Sequence, residues 1–239
     1  MQKEVALLQL KNSPIYQKNL DKILHYLKTL PDDTIVVAPE VCLTDYDYEN
    51  LDKACEFGEY AIEELIKSVN SKTLILTILV KSSDNYYNEA IVISRGKIIH
   101  KQRKHKLFKL GNEHLFLKAG DGSDIVKFDV DGIECGLLIC FELRYKELWQ
   151  KLEGAEIIFA PSQWGMPRKR HLEIISNALA VVNQCYLLVA NSAKEGMASS
   201  SAIYAPMGGV VMDDARELIR YSIDLNQVRI IRRYIKLDN

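Results

Sequence analysis

Residues 135–147 read CGLLICFELRYKE, and the change of character inside that stretch organises the reading of the whole chain. Cys135 to Ile139 is an uninterrupted apolar run, the pattern of a strand covered on both faces. From Phe141 to Glu147 the chain switches to aromatic and charged residues, so Cys140 stands where a buried strand meets a polar turn. Two other apolar strands end in the same manner. IVVAPE delivers Glu40 straight after its apolar residues, and KIIHKQRKHKLF carries Lys104 just beyond a hairpin strand. In layered α/β proteins functional side chains collect at strand ends, where a rigid element fixes a group that the following loop leaves accessible.

The surrounding sequence alternates between the two periodicities. EVALLQL reads as a strand and 15–30 as an amphipathic helix with Leu20, Ile23, Leu24 and Leu27 on one face, stopped by Pro31. TIVVAPE is a second strand, 54–69 a second helix, KTLILTILV a third strand, and EAIVIS-RG-KIIHK a hairpin turning at Arg95-Gly96. DIVKFDV and ECGLLIC follow as strands joined by Asp131-Gly132, then a short helix over 143–153, the strand AEIIFAP, a helix over 171–183 and the strand CYLLVAN. The last third reads as two or three antiparallel strands before a final helical stretch. No repeat and no Pro/Gly/Ser-rich linker divides the chain, so the expectation is a single domain over 1–239, of α/β class with mixed sheets.

Composition sets the broad class. The 239 residues are 48% hydrophobic and 26% charged, with a formal net charge of −1 from 31 basic and 32 acidic residues. No nucleic-acid or charged-membrane partner is implied. The first residues, MQKEVALLQLKNSPIY, hold too short an apolar stretch for a secretion signal or a membrane span of roughly 18 residues, so the chain is expected to be cytoplasmic. Five cysteines without a C-x-x-C pair, Cys42, Cys55, Cys135, Cys140 and Cys185, argue against a disulfide framework and against a structural zinc site.

A glutamate, a lysine and a cysteine at strand ends suit hydrolysis of an amide through a thioester. A thiol of ordinary pKa about 8.5 is mostly protonated at neutral pH, and a nearby carboxylate can take its proton as it attacks. An ammonium then stabilises the oxyanion, together with a backbone N–H, most naturally that of Phe141. Singly, each residue has a plainer reading: Cys140 as core filling, Glu40 as a loop carboxylate, Lys104 as one of several solvated bases beside Arg103, Lys106 and Lys109. His100, His105 and His114 cluster near the same loop and offer a histidine base as the less favoured alternative.

Together the motifs resemble the carbon–nitrogen hydrolase, or nitrilase, superfamily. VVAPE is similar to its first motif, GKIIHKQRKHKLF to its lysine motif and GLLICFELRYKEL to its nucleophile motif, where many members read C-Y-D-L-R-F-P-E. NEHLFLKAGDG resembles the segment of a second glutamate, here Glu113, and SSAIYAPMGGVV a late strand pair. The resemblance implies Glu40 as general base, Lys104 as oxyanion-stabilising lysine, Cys140 as nucleophile and Glu113 as a carboxylate positioning Lys104 or aiding proton transfer. It implies a four-layer α-β-β-α sandwich, a homodimer or higher homo-oligomer formed through helices, and neither metal nor organic cofactor.

The chain also departs from that pattern. Asp45 stands where many members have glycine, which puts the loop conformation before Tyr46 in question. In HLEIISNALAVVN, His171, Leu179 and Val182 replace a tryptophan, an arginine and a glutamate. Tyr46, Trp164 and Arg168 are candidate substrate contacts, the last in the basic segment 168–171 that is otherwise a solvated helix start. Arg144 is expected to be an ion-pair partner. The implied activity is hydrolysis of a small linear amide, ω-amidase-like and with a carboxylate on the substrate, releasing ammonia. The alternatives are an N-carbamoyl amine or amino-acid amidohydrolase and a catalytically idle binding subunit.

Overall fold

A computed structural model describes residues 1–237; the last two positions of the expected 1–239 domain lie outside the described residues. The chain runs β1 (Gln2–Leu8), α1 (Tyr16–Thr29), β2 (Ile35–Val37), α2 (Leu51–Ser68), β3 (Thr73–Ser82), β4 (Asn85–Ser94) and β5 (Lys97–Arg103). It continues through α3 (Glu113–Phe116), β6 (Phe128–Val130), β7 (Ile133–Leu137), α4 (Lys146–Lys151), β8 (Ile157–Ser162), α5 (Lys169–Val182) and β9 (Tyr186–Asn191). The final elements are β10 (Ala202–Tyr204), β11 (Val210–Met212), β12 (Leu218–Asp224) and α6 (Asn226–Tyr234).

The strands form two six-stranded sheets, ordered β12-β1-β2-β3-β4-β5 and β11-β10-β9-β8-β7-β6. Each has a parallel centre, β1-β2-β3 and β7-β8-β9, flanked by antiparallel strands. Alternation along the strands explains the layers. Ala6, Leu8, Leu74, Leu76, Ile91 and Ile93 pack against Leu20, Ile23 and Leu27 of α1 and Ala61, Ile62 and Leu65 of α2. Their neighbours Val5, Leu7, Ile75 and Val92 face the other way, into one core shared with Leu137, Phe159 and Leu188 of the second sheet. With α5 against β9 and β10, the result is the α-β-β-α sandwich that the family resemblance implies.

Both hairpin turns follow their sequence signals. Arg95-Gly96 and Asp131-Gly132 adopt positive φ at both central residues, 50° and 74°, 52° and 81°, the twist that two-residue hairpins require. Two strands are shorter than their apolar patterns suggest. β6 spans only Phe128–Val130 rather than the whole of DIVKFDV, where Val126 is exposed. β7 ends at Leu137, and Cys140 opens a 3-10 turn over Cys140–Arg144 rather than closing the strand.

Candidate active site

The strand ends after β2, β5, β7, β8 and β9 meet at one edge of the sandwich and enclose a cleft of about 410 Å³ lined by Glu40, Tyr46, Glu113, Cys140, Gln163 and Arg168 among others. Three loops around it turn through backbone conformations that L-residues rarely adopt: Val41 at φ 43°, Asn112 at 59° and Cys140 at 50°. A β-branched valine there is strained, and strain of this kind is held only where surrounding contacts dictate it. Val41 N–H donates to Thr77 Oγ1 at 2.7 Å, one such contact. Asp45 also adopts positive φ, 57°, so it occupies the conformation that glycine would have served. Its carboxylate accepts the Tyr46 N–H at 2.9 Å and Gln163 Nε2–H at 2.7 Å, and it pairs with Lys194. The loop is therefore fixed by hydrogen bonds from three segments.

Lys104 is not one of the solvated bases; it is 1% exposed. Its ammonium donates to Glu40 Oε1 and Glu113 Oε1, both at 2.7 Å, and lies 3.3 Å from Tyr46 Oη. Tyr46 O–H donates to Glu113 Oε1 at 3.0 Å, and the Phe108 N–H donates to Glu113 Oε2 at 3.0 Å. Asn88 Nδ2 supplies further donors, to Glu40 Oε1 at 2.9 Å and to Tyr46 Oη at 3.1 Å. Burial works against the Lys104 charge, but the Glu40 and Glu113 carboxylates outweigh it and hold its pKa above the ordinary lysine value. Burial, followed by the charge of Glu40, raises the Glu113 carboxyl despite the opposing pull of Lys104.

Cys140 faces this network across the cleft. Burial pushes its thiol well above the ordinary range, and the Glu40 charge pushes in the same direction. At neutral pH a thiol shifted this way is protonated, unlike the preformed thiolates of cation-paired cysteines. The Gln163 N–H lies 3.4 Å from Sγ. Beside the sulfur a narrower pocket opens between Phe108, Phe141 and Trp164, bordered by the guanidinium groups of Arg144 and Arg168. Arg144 sits 4.7 Å from the Trp164 ring centroid and Arg168 5.0 Å from that of Phe108.

The structure thus brings Glu40, Lys104, Glu113, Cys140, Tyr46, Phe141, Trp164 and Arg168 to one site. Of the basic segment only Arg168 borders it, since Lys169 pairs with Asp214 and Arg170 lies 3.7 Å from Glu173. Arg144, expected as an ion-pair partner, contacts His171 Nδ1 at 3.2 Å and lines the pocket; among the described residues no carboxylate pairs with it. The histidines sit elsewhere: His100 stacks on Phe128 at 4.3 Å, and His105 Nδ1 is 2.8 Å from the Gly120 carbonyl. Asn88 and Gln163 are contributors that the motifs do not announce. For Asn88 the available signal was a polar amide inside the strand NYYNEAIVIS, a residue type disfavoured there without a partner.

The profile of the carbon-nitrogen hydrolases matches residues 4–233. The chain belongs to that family. This carbon-nitrogen hydrolase is 31% identical over 214 residues to the 2-oxoglutaramate amidase of Bacillus subtilis, covering 84% of this chain and 82% of the relative. It is 22% identical to the omega-amidase YafV of Escherichia coli, over 89% and 85% of the two chains. Among solved structures, Nit3 of Saccharomyces cerevisiae, a member of branch 10 of the nitrilase superfamily, superposes with a TM-score of 0.87 at 25% identity, over 100% of this chain and 96% of that one. Family and relatives make this chain an enzyme of the amidase kind, acting on small amides.

Proposed function

We propose that this hydrolase cleaves the terminal amide of a small linear ω-amide bearing a carboxylate, through a thioester on Cys140, and releases ammonia. The observation that carries the reading is the Lys104 ammonium held between Glu40 and Glu113, which line the cleft together with Cys140. Glu40 takes the thiol proton as Sγ attacks the amide carbon. The oxyanion is stabilised by Lys104 and by the Phe141 N–H. Collapse of the tetrahedral adduct breaks the C–N bond, and Glu40 returns its proton to the departing nitrogen. Water, deprotonated by Glu40, then attacks the thioester, and the acid leaves with the thiol restored. Glu113 keeps the ammonium in place and its charge balanced.

The substrate's far end is read from the pocket. Arg144 and Arg168 offer two guanidinium forks, and the Trp164 indole N–H is buried without a partner among the described residues. Donors of this type, with no carboxylate partner among the described residues, suit a carboxylate. The 2-oxoglutaramate named in the Bacillus subtilis relative has that form, an amide at one end and a carboxylate at the other. Ile174, Val181 and Val182 leave an apolar stripe exposed on α5, beside Val210 and Met212 of β11, which supports association of two copies through this face. The five free thiols fit a reducing cytoplasm, and the shared core fits one domain.

Intact-mass spectrometry after brief exposure to 2-oxoglutaramate, N-carbamoyl amino acids and nitriles, with ammonia release in parallel, tests the assignment. An acyl adduct on the wild type and none on Cys140→Ala, with ammonia released from the ω-amide, is expected. Turnover by Cys140→Ala would refute the mechanism, preference for an N-carbamoyl compound would replace the substrate, and no adduct with no ammonia would favour a binding subunit.

A further inference from the structure

Lys104 and Cys140 reach the cleft from different sheets, one just after β5 and the other after β7. Their relative position therefore depends on contacts between the layers, because no ladder of backbone hydrogen bonds joins the two sheets. Two buried side chains make that connection. Gln102 Nε2 donates to the Leu137 carbonyl at 3.0 Å, joining the strands just before they release the lysine and the cysteine. Beyond the strands, Glu142 takes over. Its Oε1 accepts the His105 N–H at 2.7 Å and the Lys106 N–H at 3.3 Å, the two amides that follow Lys104. Its Oε2 accepts the Ile139 N–H at 2.7 Å, the amide that precedes Cys140.

We propose that Glu142 is a positioning residue whose carboxylate ties the lysine loop to the nucleophile turn, so that Lys104 and Sγ of Cys140 keep one mutual geometry through both halves of the reaction. The proposal rests on the roles assigned above to those two residues. Glu142 is fully buried, and among the described residues no cationic side chain hydrogen-bonds to it. A carboxylate placed so is costly unless the donors around it satisfy it. Only an acid offers acceptor oxygens in two directions; an amide would turn an N–H donor toward one of the two loops.

The charge matters as well as the shape. Burial pushes the Glu142 carboxyl up to about 7, against the pull of its three backbone donors and of Lys104. The other charged groups nearby are engaged elsewhere: the His105 ring is at Gly120, Lys106 pairs with Glu147 at 3.1 Å, and on its own turn Arg144 points to His171 and the substrate pocket. Cys140 beside it is a thiol at rest. Below neutrality Glu142 gains a proton, an acceptor oxygen becomes a hydroxyl, and the connection between the loops weakens.

Steady-state kinetics with 2-oxoglutaramate from pH 5.5 to 8.5, on wild type, Glu142→Gln and Glu142→Asp, test this, with melting temperatures alongside. At pH 8 the Gln variant is expected to lose at least tenfold in kcat with KM within twofold of wild type. The ratio of wild-type to Gln kcat should rise between pH 6 and 8, since only the wild type gains its acceptor there. The Asp variant keeps the charge but shortens the reach, so its kcat should fall about threefold to tenfold while the pH dependence stays. It carries the test by itself if the Gln variant does not fold. A folded Gln variant with wild-type kcat at pH 8, a ratio flat with pH, an Asp variant equal to wild type, or kcat and KM shifting together would each overturn the proposal. Activity retained in Cys140→Ala, which has no nucleophile at that position, would instead overturn the underlying mechanism, which separates the two failures.

Discussion

On one wall of the cleft Lys104, Glu40, Glu113, Tyr46 and Asn88 are joined by hydrogen bonds that pair the charges, leaving the Asn88 Oδ1 acceptor without a partner among the described residues. On the opposite wall Arg144 and Arg168 lie over aromatic rings and the Trp164 N–H has no partner among the described residues. The charges of the first wall are paired before substrate arrives, so little reorganisation is left for the moment when charge develops. The second has donors to spare, and a bound anion would complete it. Under the proposed function, reaction and selectivity are thus built separately: one from buried charges that pair, the other from cations with no carboxylate partner among the described residues.

Substitutions on the first wall should strike kcat. Cys140→Ala is expected to lower kcat by at least about 10⁴-fold, because it removes the proposed nucleophile; ammonia release measures it. Lys104→Met should cost about 10²- to 10³-fold for loss of the proposed oxyanion donor. It should also lower the melting temperature, since two buried carboxylates would face each other without their cation and one would have to take a proton. If Lys104→Met kept wild-type stability, the picture of a charge-balanced wall would fail.

Substitutions on the second wall should strike KM. Arg168→Ala is expected to raise KM for 2-oxoglutaramate about tenfold and to leave a neutral amide such as butyramide unaffected, in line with the loss of one charge-assisted hydrogen bond. An equal effect on both amides would remove the anion from the argument.

The smallest expected effect is on stability with pH. The folded pKa of Glu142, about 7, lies above the ordinary 4.5. Its contribution to stability is therefore full below about pH 4.5 and is lost as pH rises through 7. Glu142→Gln should be flatter than wild type in melting temperature over that window, which thermal unfolding at pH 5 and pH 8 would reveal.

The three strand ends were legible because an apolar run that stops at one polar residue marks a position along the chain. What a neighbouring pattern cannot mark is company. Lys104 differs from Lys106 in the carboxylates that meet it, Glu40, 64 residues away, and Glu113, whereas Lys106 pairs with Glu147 nearer the surface. Asn88 and Gln163 were missed for the same reason: their roles exist only once strands from distant segments meet. The true end of β7 was also invisible, because Leu138 and Ile139 remain buried after the ladder stops and so extend the apolar run past the strand. Asp45 shows the converse, a departure that looked disruptive and is accommodated by its own side chain.

The pairing of β1 with β12 aligns Gln2 with Asp224 along seven residue pairs. A ribosome extends a chain at about 5–20 residues per second, so for roughly ten seconds or longer β1 exists with one edge open. Until then that edge, flanked by apolar β2, is a template for any extended segment nearby. The order of the strands makes the newborn protein most vulnerable to misassociation during its own synthesis, and the emergence of β12 is the event that ends the exposure.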